Sequence, residues 1–375
     1  MLDPAWKSKA GVQVLRFRWQ KRLSPKYLNF LIPEMQEEHD RFFPVEFGAA
    51  GFDTDKRRAF VGANVGGLYC LDIRSGKTVW RFDISDPVGS VPLYDSERKY
   101  VYFGADNGKF YALHARSGRL IWSIDTSAEI RKAAILYNNT LYVANADNTI
   151  FALDPGNGEI VWQYRRPPLK GFSGAGYSGM VLGAGKIITG FSDGYLVALD
   201  PAVGAVLWSN DLASEVEPGM EGGQVKLTDV DATPVIVGNI LVAASVDGGM
   251  QGFNLDTGNV IWTNPAITTV TGLAATEDIA YAARSAHGLT ALDPQTGNIL
   301  WDRPFRSGLL ADPVVYEDVL LISDSVFGLF VVSQVDGHLL QQVNQHRGFF
   351  ARPSIHAGYL LIIGNSSTLY AMSIL

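Results

Sequence analysis

Only one of the 375 residues is a cysteine, Cys70, so no disulfide forms within the chain, and a disulfide scaffold or a paired-cysteine redox motif is excluded. No stretch approaches the roughly 18 apolar residues of a membrane-spanning helix. Met1-Leu-Asp-Pro opens no signal-peptide pattern, so an exported form is expected to be a processed chain. The six histidines, at 39, 114, 287, 338, 346 and 356, show neither His-x-His nor His-x-x-x-His spacing, so neither a structural nor a catalytic metal is supported. There is no Gly-x-Ser-x-Gly elbow, Walker loop or EF-hand run. Lys and Arg number 31 against 38 Asp and Glu, and the net charge of −7 argues against a nucleic-acid partner. Helical 3.6-residue periodicity is also missing.

What the chain has instead is repetition. Gly66 to Trp80 (GGLYCLDIRSGKTVW) reads as strand, tight turn and strand. The design returns at 108–122, 148–162, 194–208, 248–262 and 287–301, each with a Gly four residues before a Trp, and in worn form at 327–341, where Gln341 replaces the Trp. The Trp residues at 80, 122, 162, 208, 262 and 301 are separated by 42, 40, 46, 54 and 39 residues. A period near 40 built of strand and turn signals alone describes a β-propeller of four-stranded blades. A hydrophobic content of 47%, with 18% charged residues and 39 glycines, suits one large folded body with many tight turns.

The fold class expected is therefore all-β: an eight-bladed β-propeller of four-stranded antiparallel blades, its ring closed by the N-terminal strand joining the last blade. Residues 1–375 form a single domain. Within it, 12–23 make the closing strand of blade 8, 24–45 an irregular or short helical insertion, 46–348 blades 1 to 7, and 349–375 the inner strands of blade 8. The closing strand supplies Trp19, which otherwise has no unit of its own, and closure removes open sheet edges. In blade 2 the inner strand is placed at Val91–Leu93, the second at Tyr100–Phe103, the third at Phe110–His114 and the outermost at Arg119–Ser123.

The repeated Trp residues read as packing between neighbouring blades. The Leu-Asp pairs ending at Asp72, Asp154, Asp200 and Asp293 read as turn fixers that accept backbone N–H bonds. Lys56-Arg57-Arg58 reads as a solvated turn. The informative departures are two overlong linkers, Tyr164 to Tyr177 and Asn210 to Val230, which stretch their repeats and must emerge on one face on either side of blade 4. The first offers Arg165, Arg166, Leu169, Lys170 and Phe172. The second offers Glu215, Glu217, Glu221, Lys226, Thr228, Asp229 and Asp231. Long loops on a rigid scaffold commonly carry binding; the alternative is that the two insertions are tolerated or salt-bridge each other.

The repeats resemble the pyrroloquinoline-quinone-type propeller superfamily, and within it the propeller lipoproteins of the outer-membrane β-barrel assembly machinery, the BamB family. The residues that carry this are Lys226-Leu227-Thr228-Asp229-Val230-Asp231-Ala232-Thr233-Pro234, with the closing strand, the eight-blade count and Gln341-Gln342. The resemblance covers nearly the whole chain except Ser24 to Val45. It implies a non-catalytic scaffold without cofactor on the periplasmic face of the outer membrane. That scaffold is a monomeric ring within a hetero-complex, binding a periplasmic POTRA domain of the barrel-inserting subunit. Unfolded outer-membrane proteins are a second implied partner. Asp229, Asp231 and Thr228 carry over to the contact. Leu169, Lys170 and Phe172 occupy the place of the other contact loop, where the family's arginine has no unambiguous counterpart; Arg166 of the same linker is a further partner-binding candidate. The family's lipidated cysteine is absent, since Cys70 is interior, so membrane attachment would rest on an anchor not present in this chain. Two other readings stand beside this one. One is a quinone-dependent dehydrogenase of the same superfamily, from which the chain departs in lacking a vicinal cysteine pair and an acidic cluster among the inner strands. The other is a propeller module with a different protein partner.

Overall fold

The computed structural model describes residues 13–23, 48–64, 66–167, 178–212, 220–221, 224–225, 229–285, 287–304, 308–344 and 348–375. The insertion at 24–45 lies outside these residues, as do Thr228, Leu169, Lys170 and Phe172. The described strands pair into eight four-stranded antiparallel sheets, with one small hairpin of Met220–Glu221 and Gln224–Val225 in the second long linker. The eight sheets are the blades of a propeller. No helix occurs among the described residues.

Blade 3 shows why the sequence folds this way. Its strands run from the ring axis outward as Ile135–Tyr137, Thr140–Asn145, Thr149–Leu153 and Ile160–Arg165. The second and third strands are covered on both faces by neighbouring blades, so they are near-continuous apolar runs without alternation. Asn138 and Asn139, at φ 47° and 58°, make the left-handed two-residue turn between the first pair. Asp154 accepts bonds from the amides of Gly156 (2.7 Å) and Asn157 (3.2 Å) and so holds the turn before the outer strand. Asp72, Asp200 and Asp293 do the same, confirming the turn role of the Leu-Asp pairs.

The core is divided among the blade junctions. Eight clusters of buried side chains each draw on two adjacent blades, as where Tyr102 and Phe110 of blade 2 meet Leu141 and Val143 of blade 3. At seven of the eight junctions the rim is a Trp laid on a Gly of the next blade. Gly158 sits at φ 78°, and a Cβ there would fall 2.6 Å from the Trp122 ring, so both backbone and contact demand glycine. The indole N–H then donates to a carbonyl of the same turn: Trp122 to Pro155 (3.1 Å), Trp162 to Pro201 (2.9 Å) and Trp19 to Ile73 (2.8 Å). Trp208 lies against Gly258 in the same way, but its buried indole N–H has no partner.

The ring closes through the N-terminus. Leu15–Arg22 pairs antiparallel with Thr368–Ile374 and becomes the outer strand of blade 8, beyond Ser354–His356 and Tyr359–Gly364. This closure explains Gln341. At the junction of blades 7 and 8 the turn that would carry a glycine is replaced by the two chain ends, so a Trp would have nothing to dock on. Instead the Gln341 side chain accepts bonds from the amides of Val14 (2.8 Å) and Leu15 (2.7 Å) and donates to the Leu15 carbonyl (3.0 Å). The blade 2 strands shift from expectation: the outermost is Leu120–Asp125 rather than Arg119–Ser123, the second and third each gain a residue, and the inner strand is Leu93–Asp95 rather than Val91–Leu93. Pro92 has no amide hydrogen to give a ladder, and pairing starts after it.

Candidate functional site

Strands alternate in direction, so the linkers between blades and the turns between second and third strands share one face. Both long linkers therefore leave and return there. The first is pinned at its start by two arginines. Arg165 pairs with Asp147 in the blade 3 turn (2.6 Å), and Arg166 pairs with Asp193 in the blade 4 turn (2.6 Å). Arg166 also lies over the Tyr195 ring at 4.1 Å, with Phe191 at 5.8 Å. These contacts hold it against blade 4 at the root of the linker. Asp193, Tyr195 and Phe191 were not singled out from sequence, because nothing in a turn's spacing tells which cation will fold onto it.

The second linker ends at Asp229-Val230-Asp231. Val230 is fully buried against Gly190, its amide donates to the Phe191 carbonyl (3.2 Å), and the Asp229 carbonyl accepts from Val246 N–H (2.9 Å). The same frame occurs at blade 3. Ile130 is fully buried against Gly104, its amide donates to Ala105 (3.2 Å), and the Glu129 carbonyl accepts from Ala146 N–H (3.0 Å). Residue by residue, Glu129 matches Asp229 and Arg131 matches Asp231. At blade 2 the matching residues, Pro87-Val88-Gly89, are uncharged.

The electrostatics of the two charged frames differ. Arg131 pairs with both Glu129 (2.9 Å) and Asp106 (2.9 Å), so each acid of blade 3 has a cationic partner. Glu129 is raised by burial, with Arg131 pulling it back down. At blade 5 an acid stands where that arginine would be. Asp229 is only 1% exposed, and Asp231 is half-buried with its Oδ1 enclosed and accepting no hydrogen bond. Burial, and then the neighbouring Asp229 charge, push the Asp231 carboxyl up to about 6. Lys132, reaching past the inner end of blade 4, opposes this. Its Nζ donates to the Asp231 carbonyl at 3.4 Å rather than to the carboxylate. Lys132 is the residue that sequence reasoning missed here: it stands in the blade 3 lead-in, 99 positions from Asp231, and no spacing signal links the two.

The structure thus puts Asp229 and Asp231 together at the foot of the second linker and Arg166 at the foot of the first, flanking blade 4. Among the described residues no group of three His, Cys, Asp or Glu side chains is arranged to hold a metal ion. His287 and Asp302 form a pair at 2.7 Å on blade 6, with Thr290 donating to the same carboxylate (2.7 Å).

Comparisons with known proteins bear on this geometry. The family model described as outer membrane protein assembly factor BamB matches residues 16–102, 96–303 and 271–374. The chain is similar to the protein of that name from Bordetella pertussis, 27% identical over 231 residues, covering 60% of this chain and 58% of the relative. The relative from Moranella endobia is 22% identical over 361 residues, 84% of this chain and 82% of its own length. For the Salmonella typhimurium relative, 26% identical, coverage is 50% of this chain and 48% of the relative, so the chain spans only about half the length of some curated relatives it matches. Among solved structures, BamB from Moraxella catarrhalis superposes with a TM-score of 0.78 at 21% identity, over 96% of this chain and all of that one, coverage 100%. A quinohemoprotein alcohol dehydrogenase from Comamonas testosteroni gives 0.69 at 14% identity, over 96% of this chain and 76% of that one; at these identities both speak to the fold alone.

Proposed function

The chain belongs to the BamB family, and from that premise we propose that it is a non-catalytic adaptor in outer-membrane protein assembly, docking a periplasmic POTRA domain of the barrel-inserting subunit. The docking surface is the linker face flanking blade 4. Its fixed element is the acidic pair Asp229 and Asp231, and the loop carrying Leu169, Lys170 and Phe172 supplies apolar contact from the other side. Charge complementarity sets orientation and encounter, while apolar anchoring gives most of the affinity.

The observation that carries this reading is the contrast between the two lead-ins. One backbone frame is used at blades 3 and 5, and only at blade 5 is the balancing arginine replaced by a second acid. A half-buried carboxylate without a hydrogen-bond donor costs stability, and such groups cluster where a partner completes them. A basic side chain reaching Asp231 would do so.

The test is binding of the purified POTRA-bearing subunit to immobilised chain, wild type against Asp229→Asn with Asp231→Asn. Binding lost by a variant that still melts cooperatively supports the proposal. Unchanged affinity removes the site, and failure of the wild type to bind removes the partner.

A further inference from the structure

The turns joining third and outer strands recur seven times with one geometry, so they show what each blade places at the same two positions. Blades 1 and 2 put two cations on each turn, Arg74 with Lys77 and Arg116 with Arg119. Blades 3 to 7 carry no Lys or Arg there, and use Glu159 and Asp256 among other residues. The turn is made by Asp72 and its equivalents, so the cations serve no folding need. All four are exposed, and among the described residues none forms an ion pair.

These turns lie on the face opposite the long linkers, and they are joined to further cations. The Ile73 amide donates to the Arg57 carbonyl (3.1 Å) and the Ala115 amide to the Lys99 carbonyl (2.8 Å), which brings the adjoining hairpin turns of both blades into the patch. In those turns Lys99 pairs with Asp55 (2.7 Å) and Arg98 with Asp95 (3.0 Å), while Lys56 and Arg57 form no ion pair among the described residues. On the other side, Trp19 of the closing strand rests on Gly76, between Arg74 and Lys77. Just before it run Arg16, Phe17 and Arg18, all exposed, with Phe17 at 56%. Trp80 likewise rests on Gly118, between Arg116 and Arg119. The patch therefore runs unbroken from the rim of blade 8 through blades 1 and 2. On the same face of blades 3 to 7 the one described Lys or Arg in these turns is Lys186, and it is paired with Asp256 (3.4 Å).

We propose that this sector docks on an anionic phospholipid surface. The net charge of −7 conceals it; these turns also hold Asp53, Asp55, Asp72, Asp95 and Glu97, but their Lys and Arg residues outnumber those acids. The cations are spread over turn tips and a convex rim rather than gathered round a groove, which suits a plane of headgroup phosphates better than one acidic chain. An exposed phenylalanine between two arginines supplies an apolar anchor at headgroup depth, as interfacial segments do. Ring geometry then fixes the orientation: a sheet of lipid against this face leaves the linker face, with Asp231, turned away from the bilayer. The proposal goes beyond the adaptor reading and stands without it.

The experiment is co-sedimentation of the full chain with vesicles of phosphatidylcholine alone or mixed with phosphatidylglycerol, at low and at physiological salt. Binding is expected only to the phosphatidylglycerol vesicles, and weaker at the higher salt. Each cation removed should weaken partitioning about fivefold, so Arg74→Gln, Lys77→Gln, Arg116→Gln and Arg119→Gln together lose it by roughly several hundredfold. Phe17→Ser should lose severalfold without altering the salt dependence. Lys109→Gln, an exposed change near the opposite face, should leave binding intact. Equal binding to phosphatidylcholine vesicles, or a quadruple variant that binds like wild type while melting normally, overturns the proposal. So does capture by polyglutamate with no vesicle binding, which would identify an acidic polypeptide as the occupant.

Discussion

The lead-ins to blades 3 and 5 share a backbone and differ in charge. Each buries one aliphatic residue, Ile130 or Val230, against a glycine of the preceding blade, and each hands a carbonyl to the next turn. Blade 3 flanks its anchor with Glu129 and Arg131, and that arginine pairs with both Glu129 and Asp106. Blade 5 flanks its anchor with two acids and leaves an enclosed Asp231 oxygen without a donor. The frame belongs to the fold, and the charges on it belong to what each blade does. A repeat protein thus contains its own controls: features common to all blades are structural, and a feature of one blade asks for another explanation.

The largest effect should follow from rebuilding one lead-in as the other. Asp231→Arg gives blade 5 the charge order of blade 3, and affinity for the POTRA-bearing subunit should fall by about a hundredfold or more, since a desolvated contact turns repulsive. Biolayer interferometry reads it, and an affinity within about threefold of wild type would show that the contrast has no bearing on binding.

Next comes stability with its sign. The Asp231 carboxyl is raised from 3.8 to about 6 when folded, so the folded chain holds that proton more tightly than the unfolded one. Its effect is nil below about pH 3.8 and becomes a full penalty above about 6. Asp231→Asn should therefore stabilise the ring by about 2 kcal/mol at pH 7.5, allowing for partial exposure, and by almost nothing at pH 4. Thermal melts at both pH values check this, and a destabilised variant at pH 7.5 would mean that the carboxylate is structural.

A smaller loss is expected on the balanced side. Arg131→Gln strands Glu129 and Asp106, and should cost about 1 kcal/mol of stability, because all three groups are partly solvated. Partner affinity should not move. A loss of binding here would erase the distinction between the two lead-ins. The least effect belongs to Lys132→Gln, which removes a cation that pulls the Asp231 carboxyl down. The titration of Asp231, followed by carboxyl carbon NMR, should move upward, and a downward move would place Lys132 elsewhere.

Much of the fold was legible in the sequence because propeller blades advertise themselves locally. The Gly-to-Trp spacing, the Leu-Asp turns and the odd strand with Trp19 each reflect contacts made within one blade or with the next. Gln341 was noticed as a departure, and its reason appeared only once the closing strand was seen to lack a docking glycine. The inner strand of blade 2 was misplaced because three-residue strands have almost no periodicity, and Pro92 decided the matter. The candidate site was half legible. Asp229 and Asp231 rest on the resemblance alone, and nothing in the sequence shows that Arg166 pairs with Asp193 and lies over Tyr195. Lys132 was missed because it lies about a hundred residues from the acid it approaches, 99 by position. The basic sector was hidden for a related reason: Lys56-Arg57-Arg58 looked solvated on its own, and only the turn-to-turn hydrogen bonds join it to its neighbours.

The most direct test of the unbalanced lead-in is proton linkage on binding. A partner cation that meets Asp231 must draw its carboxyl back down, so complex formation near pH 6 should release protons. Calorimetric titration of the POTRA-bearing subunit into the chain at pH 6, in two buffers of different ionisation enthalpy, reads that release. The account predicts a release of roughly half a proton that vanishes in Asp231→Asn. Binding heats independent of buffer, or a proton uptake on binding, would contradict it.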